Sequence, residues 1–307
     1  MSILAVILVP AVLASLAFYS YISVYPHTRA HLLGSMRAFT DAPKRVLLLV
    51  AHPDDECMFF GPTLVQLTGV TGVTVFAVSA SNGNGDGLGA IREKEFVASC
   101  KTLGIASERI AVWNDELRLV LLGDFPSGLN VPTRLENRKM QDGMKVWWKE
   151  EDVAYAVGKF VLENKIDVII TFDKYGISGH ANHCAVSLGV KRLLQQPAFF
   201  KKVSGYALIS VPLLRKFISL LDLVPSLLVH LRNTLRFKSK LYESQSNEEV
   251  RQALVQRGKE RVLFVATPSE LWRARSAMLC HPSQLVWFRH LYLAFSRYMV
   301  INELERM

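Results

Sequence analysis

Strongly apolar runs of strand length alternate with longer amphipathic stretches along most of this chain. The runs fall at Arg45–Ala51, Val73–Ala80, Arg109–Trp113 and Asp167–Phe172. Helix-like stretches lie between them, clearest at Ile91–Leu103, which Gly104 ends, and at Asp152–Glu163. Strands without polar alternation are buried on both faces, so the pattern predicts an α/β fold: a mostly parallel sheet with helices on both faces. No internal repeat or low-complexity tract breaks the pattern.

Four stretches lie outside it. Ile3–Val24 holds no charged residue, and about twenty apolar residues suffice to cross a bilayer as a helix. A cleaved signal peptide is the alternative, but it wants a positive n-region and a small-residue cleavage site. Here Tyr19, Tyr21 and Tyr25 close the run as aromatic residues do at a membrane interface. The expectation is one N-terminal transmembrane helix within residues 1–25, a basic linker over 26–43, and the α/β domain over 44–307. Arg29, Arg37, Lys44 and Arg45 all follow the span, which puts the domain in the cytosol and the amino terminus in the lumen. Tyr206–Leu235 is apolar but broken by Pro212, Arg215, Lys216, Asp222 and Pro225. Such charges make a true span costly, leaving an interfacial segment near 206–235, with a buried helical pair as the alternative. Asn114–Lys149 is long, polar and irregular, as functional or mobile loops are. Leu285–Ile301 mixes Trp, Phe and Tyr with Arg289, His290 and Arg297 and reads as an amphipathic helix.

At 307 residues the chain has room for one large domain, and the 50% apolar fraction is ample for its core. The net charge of +9 suits an anionic leaflet or a phosphorylated substrate. No basic, aromatic-interleaved patch or known motif supports nucleic-acid binding, and no obligate protein partner is evident. The four cysteines, Cys57, Cys100, Cys184 and Cys280, lack C-x-x-C spacing and read as packing residues of a reducing compartment.

The candidate chemistry sits at two strand ends. Ala51-His52-Pro53-Asp54-Asp55-Glu56 follows the first apolar run, and Gly179-His180-Ala181-Asn182-His183 follows the fourth. The C-terminal ends of strands are where an α/β sheet places its ligands. Two imidazoles and two carboxylates there suit one divalent metal with a position open for water. The plainer alternatives are Asp54 as a helix cap, and His180 and His183 as ordinary residues one turn apart. Cys57 and Cys184 adjoin the motifs, but His and Asp residues already fill the ligand count. Glu56 reads as a supporting carboxylate rather than a ligand. Between Ser81 and Gly89, the spacing Gly85-x-Gly87-x-x-Ala90 is a weak dinucleotide fingerprint in the wrong place, after the second strand; a flexible loop admitting a sugar is the better reading.

These motifs resemble the zinc de-N-acetylases of the LmbE/PIG-L-like family, over a stretch from about Lys44 to the C-terminus. Thr171-Phe172-Asp173 before Gly176-Ile177-Ser178-Gly179-His180 belongs to the resemblance. So does the late segment Cys280-His281-Pro282-Ser283-Gln284 with Trp287-Phe288-Arg289. The resemblance implies a Rossmann-like domain in the endoplasmic reticulum membrane, facing the cytosol. It implies removal of acetate from the glycolipid N-acetylglucosaminyl-phosphatidylinositol, in the second step of glycosylphosphatidylinositol-anchor synthesis. His52, Asp55 and His183 are then the ligands of Zn2+ or another divalent metal such as Fe2+. Asp54 is the general base and a protonated His180 the electrostatic and acid partner. Arg92 is a substrate contact, its guanidinium suited to a phosphodiester, with a plain helix-surface Arg as the alternative. For His281, Ser283 and Gln284 the expectation is a helix and turn closing over the site. The competing functions are deacetylation of another sugar conjugate, or a non-catalytic nucleotide-binding or scaffold protein of the same fold.

Overall fold

The computed structural model describes residues 3–25, 39, 42–113, 140–199, 202–243 and 261–307. In chain order the longer elements are α1 (Ile3–Val24), β1 (Lys44–Val50), α2 (Asp55–Thr68), β2 (Val73–Ser79), α3 (Gly89–Thr102) and β3 (Ile110–Val112). They continue with α4 (Glu150–Glu163), β4 (Val168–Phe172), α5 (Ala181–Leu194), β5 (Ser204–Leu208) and α6 (Leu223–Glu243). The chain closes with β6 (Arg261–Val265), α7 (Pro268–Met278), α8 (Trp287–Phe295) and β7 (Ile301–Arg306).

All seven strands join one sheet in the order β3-β2-β1-β4-β5-β7-β6. β1 pairs in parallel with β2 and β4, and β5 continues in parallel from β4, while β7 runs antiparallel between β5 and β6. The expected mostly parallel sheet is therefore present, with one antiparallel strand added. Val46 to Val50 and Ile169 to Ile170 are fully buried, and each such Leu or Ile side chain contributes about 1.5–3 kcal/mol of burial free energy. β5, β6 and β7 escaped the sequence pattern, and β7 sets Glu303 and Glu305 on either side of Leu304. Those carboxylates pair with Arg261 on β6. A capping box at Thr267 and Glu270 starts α7. α7 then packs so closely on α2 that a Cβ at Gly61 would lie 2.7 Å from Ala274 Cβ.

The Tyr206–Leu235 stretch is not a buried helical pair. It begins as β5 inside the sheet, turns through Leu213–Lys216 and Ser219–Asp222, and ends in α6. Buried Asp222 anchors it, accepting from Arg215 at 2.6 Å and lying 2.7 Å from Arg297. α1 is one helix with Pro10 inside it. Ser15 and Ile22 are buried, where α1 meets the 219–222 turn and α6. Among the described residues no helix is long and apolar enough to cross a membrane, so the expected N-terminal transmembrane helix is not found. Part of the α1 surface covers protein instead of facing outward. Residues 26–38 of the basic linker and 114–139 of the irregular stretch lie outside the described residues.

Candidate active site

The strand order reverses between β1 and β4, and open α/β sheets bind ligands beside such a reversal, past the carboxyl ends of the strands. Both sequence clusters sit there: His52 to Glu56 on the turn from β1 into α2, and His180 and His183 where the loop after β4 enters α5.

The first turn is strained. Asp54 has φ 111° and ψ −24°, a left-handed conformation that costs a residue other than Gly about 1–3 kcal/mol and persists only when its surroundings hold it. They do. The Asp54 N–H donates to Glu56 Oε2 at 3.0 Å, and its carbonyl accepts from Met58 N–H at 3.0 Å. Arg92 Nη2 donates to the Pro53 carbonyl at 2.7 Å and Nη1 to the Gly83 carbonyl at 2.9 Å. Gly83, at φ 68°, lets that guanidinium lie on the chain, since a Cβ there would come within 2.5 Å of it. Arg92 is only 7% exposed, which excludes a plain helix-surface Arg. Asp54 makes no side-chain cap bond to α2, so the capping alternative also fails.

The imidazoles are oriented by their other nitrogens. His52 Nε2 lies 2.9 Å from Asn182 Oδ1 and 3.1 Å from Asp142 Oδ1. Two oxygen acceptors place the proton on Nε2 and leave Nδ1 facing Asp55 Oδ2 at 3.6 Å. His183 Nδ1 lies 3.2 Å from the Gly176 carbonyl, which places its proton there and leaves Nε2 toward Asp55 Oδ1, 3.2 Å away. That Nε2 is buried yet makes no hydrogen bond. Phe172 stacks on the His183 ring at 4.1 Å and fixes its plane. Two unprotonated imidazole nitrogens aimed at one carboxylate, each fixed from behind, suit a divalent metal. His52, Asp55 and His183 fit such an ion.

Without an ion, the surrounding carboxylates draw positive charge onto the site. Burial works against charge on His52, yet hydrogen bonds and charges from Asp142 and Asp55 outweigh it and raise its pKa to about 10. Burial opposes ionisation of Asp55 too, but the facing His183 and His52 hold its carboxyl well below the usual range. The cluster thus retains positive charge, which a divalent ion supplies without protons. Asp54 is pushed up, chiefly by burial and also by Asp55, against Arg289 and Arg92. His180 is pushed down to about 4 by burial and by the neighbouring His52 and His183. Its Nδ1 accepts from the Asn182 N–H at 3.3 Å, so the neutral ring carries its proton on Nε2 and stacks on His183 at 4.6 Å.

Other residues enter that the sequence pattern missed or left without a role. Asp142 reaches both His52 and Arg92 from the far end of the irregular stretch. Asn182 joins His52, the Gly143 N–H and the Val146 carbonyl; its place between the two histidines was the one available signal. Arg289 Nη2 lies 3.0 Å from Asp54 Oδ2. Buried Glu56 accepts from Ser99 Oγ at 2.5 Å and His281 Nε2 at 2.7 Å. Glu95 accepts from the Ser283 N–H and Oγ. The late motif therefore sets His281 and Ser283 against buried Glu56 and Glu95. Burial raises the thiols of Cys57 and Cys184.

The sheet, with this constellation at its reversal, has the fold of the LmbE-like deacetylases. It superposes on N,N'-diacetylchitobiose deacetylase from Pyrococcus horikoshii with a TM-score of 0.53 at 14% identity, covering 91% of this chain and 89% of that one. Residues 47–194 match the PIG-L family model, described as GlcNAc-PI de-N-acetylase. The chain is 36% identical to the Bos taurus N-acetylglucosaminyl-phosphatidylinositol de-N-acetylase, over 85% of this chain and 83% of that protein. It is 32% identical to a probable enzyme of the same name from Schizosaccharomyces pombe, over 86% and 88%. The chain belongs to the PIG-L family of deacetylases.

Proposed function

We propose that this protein removes the acetyl group of N-acetylglucosaminyl-phosphatidylinositol, releasing acetate and glucosaminyl-phosphatidylinositol, the second step of glycosylphosphatidylinositol-anchor synthesis. The names of its relatives support this over deacetylation of another sugar. The observation that carries it is the pair His52 Nδ1 and His183 Nε2, turned by Asn182 and Gly176 onto the Asp55 carboxylate. A scaffold without catalysis has no use for that alignment.

His52, Asp55 and His183 would hold the divalent ion, zinc or ferrous iron, whose Lewis acidity brings a water's pKa to about 7. Asp54, beside the ligand set and outside it, takes the proton of the attacking water. Its raised pKa suits a group that must hold that proton and return it to the departing amine. His180 Nε2–H donates to the oxyanion of the tetrahedral intermediate. The protonated His180 expected from the sequence is not its resting form, because two neighbouring imidazoles and burial disfavour the charge. Arg92 borders the sugar through Asp142, whose carboxylate it shares with His52.

The substrate is a membrane lipid, and the apolar surface suits a bilayer. Leu213, Leu214 and Phe217 are exposed, as are Trp287, Phe288, Leu291 and Phe295 on α8. Phe217 touches Tyr292, so the two groups adjoin. Val9, Leu13, Leu16, Tyr21 and Val24 of α1 and Leu228, Leu231 and Leu235 of α6 are exposed as well. This reading places the protein on the endoplasmic reticulum membrane, with the site on the cytosolic side.

The test is deacetylation of N-acetylglucosaminyl-phosphatidylinositol by the full chain in detergent, before and after chelation and metal restoration. Activity that is lost and regained with metal is expected. A metal-loaded protein inert on this lipid but active on a lipid-free acetylated sugar would replace this reading with the second one.

A further inference from the structure

The proposed glycolipid substrate carries a phosphodiester between its sugar-bearing inositol and its acyl chains, and any cation assigned to that group rests on the proposed activity. Among the described residues, Arg92, Lys216 and Arg289 are cations near the site. Arg92 commits both terminal amines to the carbonyls of Pro53 and Gly83. Lys216 Nζ donates to the Ile177 carbonyl at 2.9 Å and to Ser178 Oγ at 2.8 Å. It thereby holds the turn that delivers His180, where Ile177 has φ 65°. Both cations brace backbone, and moving either would release a strained turn.

Arg289 differs. Its Nη2 meets Asp54 Oδ2 at 3.0 Å, its Nη1 meets only Met58 Sδ, a weak acceptor, and its Nε, like that of Arg92, is buried without a partner. Among the described residues no carbonyl holds this guanidinium. It rises from α8, whose neighbouring Trp287 is 75% exposed and whose Phe288, Leu291 and Phe295 are exposed too. One short helix thus presents apolar side chains outward and a cation inward. A glycolipid with its acetamide at His52, Asp55 and His183 and its acyl chains along the α8 surface has its anion on the way between them.

We propose that Arg289 is a specificity-determining residue that binds the substrate's phosphodiester, exchanging Asp54 for it when the glycolipid enters. The planar guanidinium offers two parallel donors to phosphate oxygens, a better match than one carboxylate oxygen and a thioether. The exchange also frees Asp54 Oδ2 for the attacking water. The phosphodiester contact that the sequence suggested for Arg92 falls to Arg289, because both terminal amines of Arg92 are committed to backbone carbonyls.

The test compares three substrates in detergent with the full chain: N-acetylglucosaminyl-phosphatidylinositol, N-acetylglucosaminyl-inositol 1-phosphate, and phosphate-free N-acetylglucosaminyl-inositol. Arg289→Met is expected to lose about tenfold or more in kcat/KM on both phosphate-bearing substrates beyond its loss on the phosphate-free one, the size of one charge-assisted hydrogen bond. The excess should fall mainly in KM, and Arg289→Lys should recover part of it. Equal loss on all three substrates, or none, overturns the proposal. A loss confined to the lipid-linked substrate overturns it in favour of an acyl-chain contact. Should the variants not fold, glycerophosphoinositol must inhibit the wild type competitively against the phosphate-free sugar; no inhibition overturns the assignment. A metal-loaded wild type inert on all three removes the proposed function itself, and this inference with it.

Discussion

His281 Nε2 meets Glu56 Oε1 at 2.7 Å with both side chains fully buried, across a sequence separation of 225 residues. Glu56 hands this contact on, since its other oxygen accepts from the N–H of strained Asp54. Burial works against charge on both partners, but each outweighs it for the other: Glu56 is lowered and His281 raised. Glu56 therefore contributes stability present above its unfolded pKa of about 4.3 and lost as pH falls through its depressed folded value. His281 contributes stability present below its unfolded pKa of about 6.5 and lost as pH rises through its raised folded value. Removing one partner of such a pair costs about 3–5 kcal/mol. His281→Leu should lower stability by that order, and the difference from wild type should peak between about pH 4.5 and 6.5. Denaturant titration across pH 4 to 9 measures it. A difference that does not vary with pH would mean that the pair is uncharged.

His52→Ala, Asp55→Ala and His183→Ala should each lose bound metal together with activity, because each removes a donor. Gly176→Ala should weaken metal binding without removing a ligand. Gly176 has φ 54°, and a Cβ there would lie 2.7 Å from His183 Cβ, while its carbonyl fixes the His183 ring. Loss of such an orienting contact costs about 10–100-fold in affinity. Metal analysis of purified variants decides both; stoichiometric metal in all three ligand variants would refute the donor set.

Asp54→Asn should keep its metal and its backbone, since Asn tolerates left-handed angles, while kcat falls by about 10²–10⁴. Asp54→Val should fail to fold well, because a β-branched residue resists φ 111°. Near-normal turnover in Asp54→Asn would move the general base elsewhere.

His180 should titrate near pH 4, pushed down by burial and the adjoining imidazoles, and a bound cation lowers it further. At pH 7 its ring nitrogens should show an unprotonated Nδ1 and a protonated Nε2 by nitrogen-15 NMR. A doubly protonated ring there would restore His180 as a stored acid.

The residues proposed to hold the metal were legible in the chain because each motif is local. An apolar strand followed at once by His-Pro-Asp-Asp-Glu, or by His-x-x-His a few residues on, places its side chains at the strand's carboxyl end by geometry alone. β1, β2 and β4 could be read for the same reason: a strand buried on both faces has no polar alternation to obscure it. α8 was legible as an amphipathic helix within Leu285–Ile301, but not the direction in which Arg289 points. That depends on α8 packing near α2, across the 235 residues that separate Arg289 from Asp54. Asp142 and His281 were opaque in the same way, as polar residues whose partners lie in other elements. β7 needed tertiary structure too, because Glu303 and Glu305 are tolerable in a strand only once Arg261 of β6 lies beside them. Periodicity and motif spacing are properties of neighbours along the chain, and they determined the fold class and pointed to the proposed donor set. Which distant charges meet at Asp54 depends on how the elements pack and in what order, and only the folded sheet decided that.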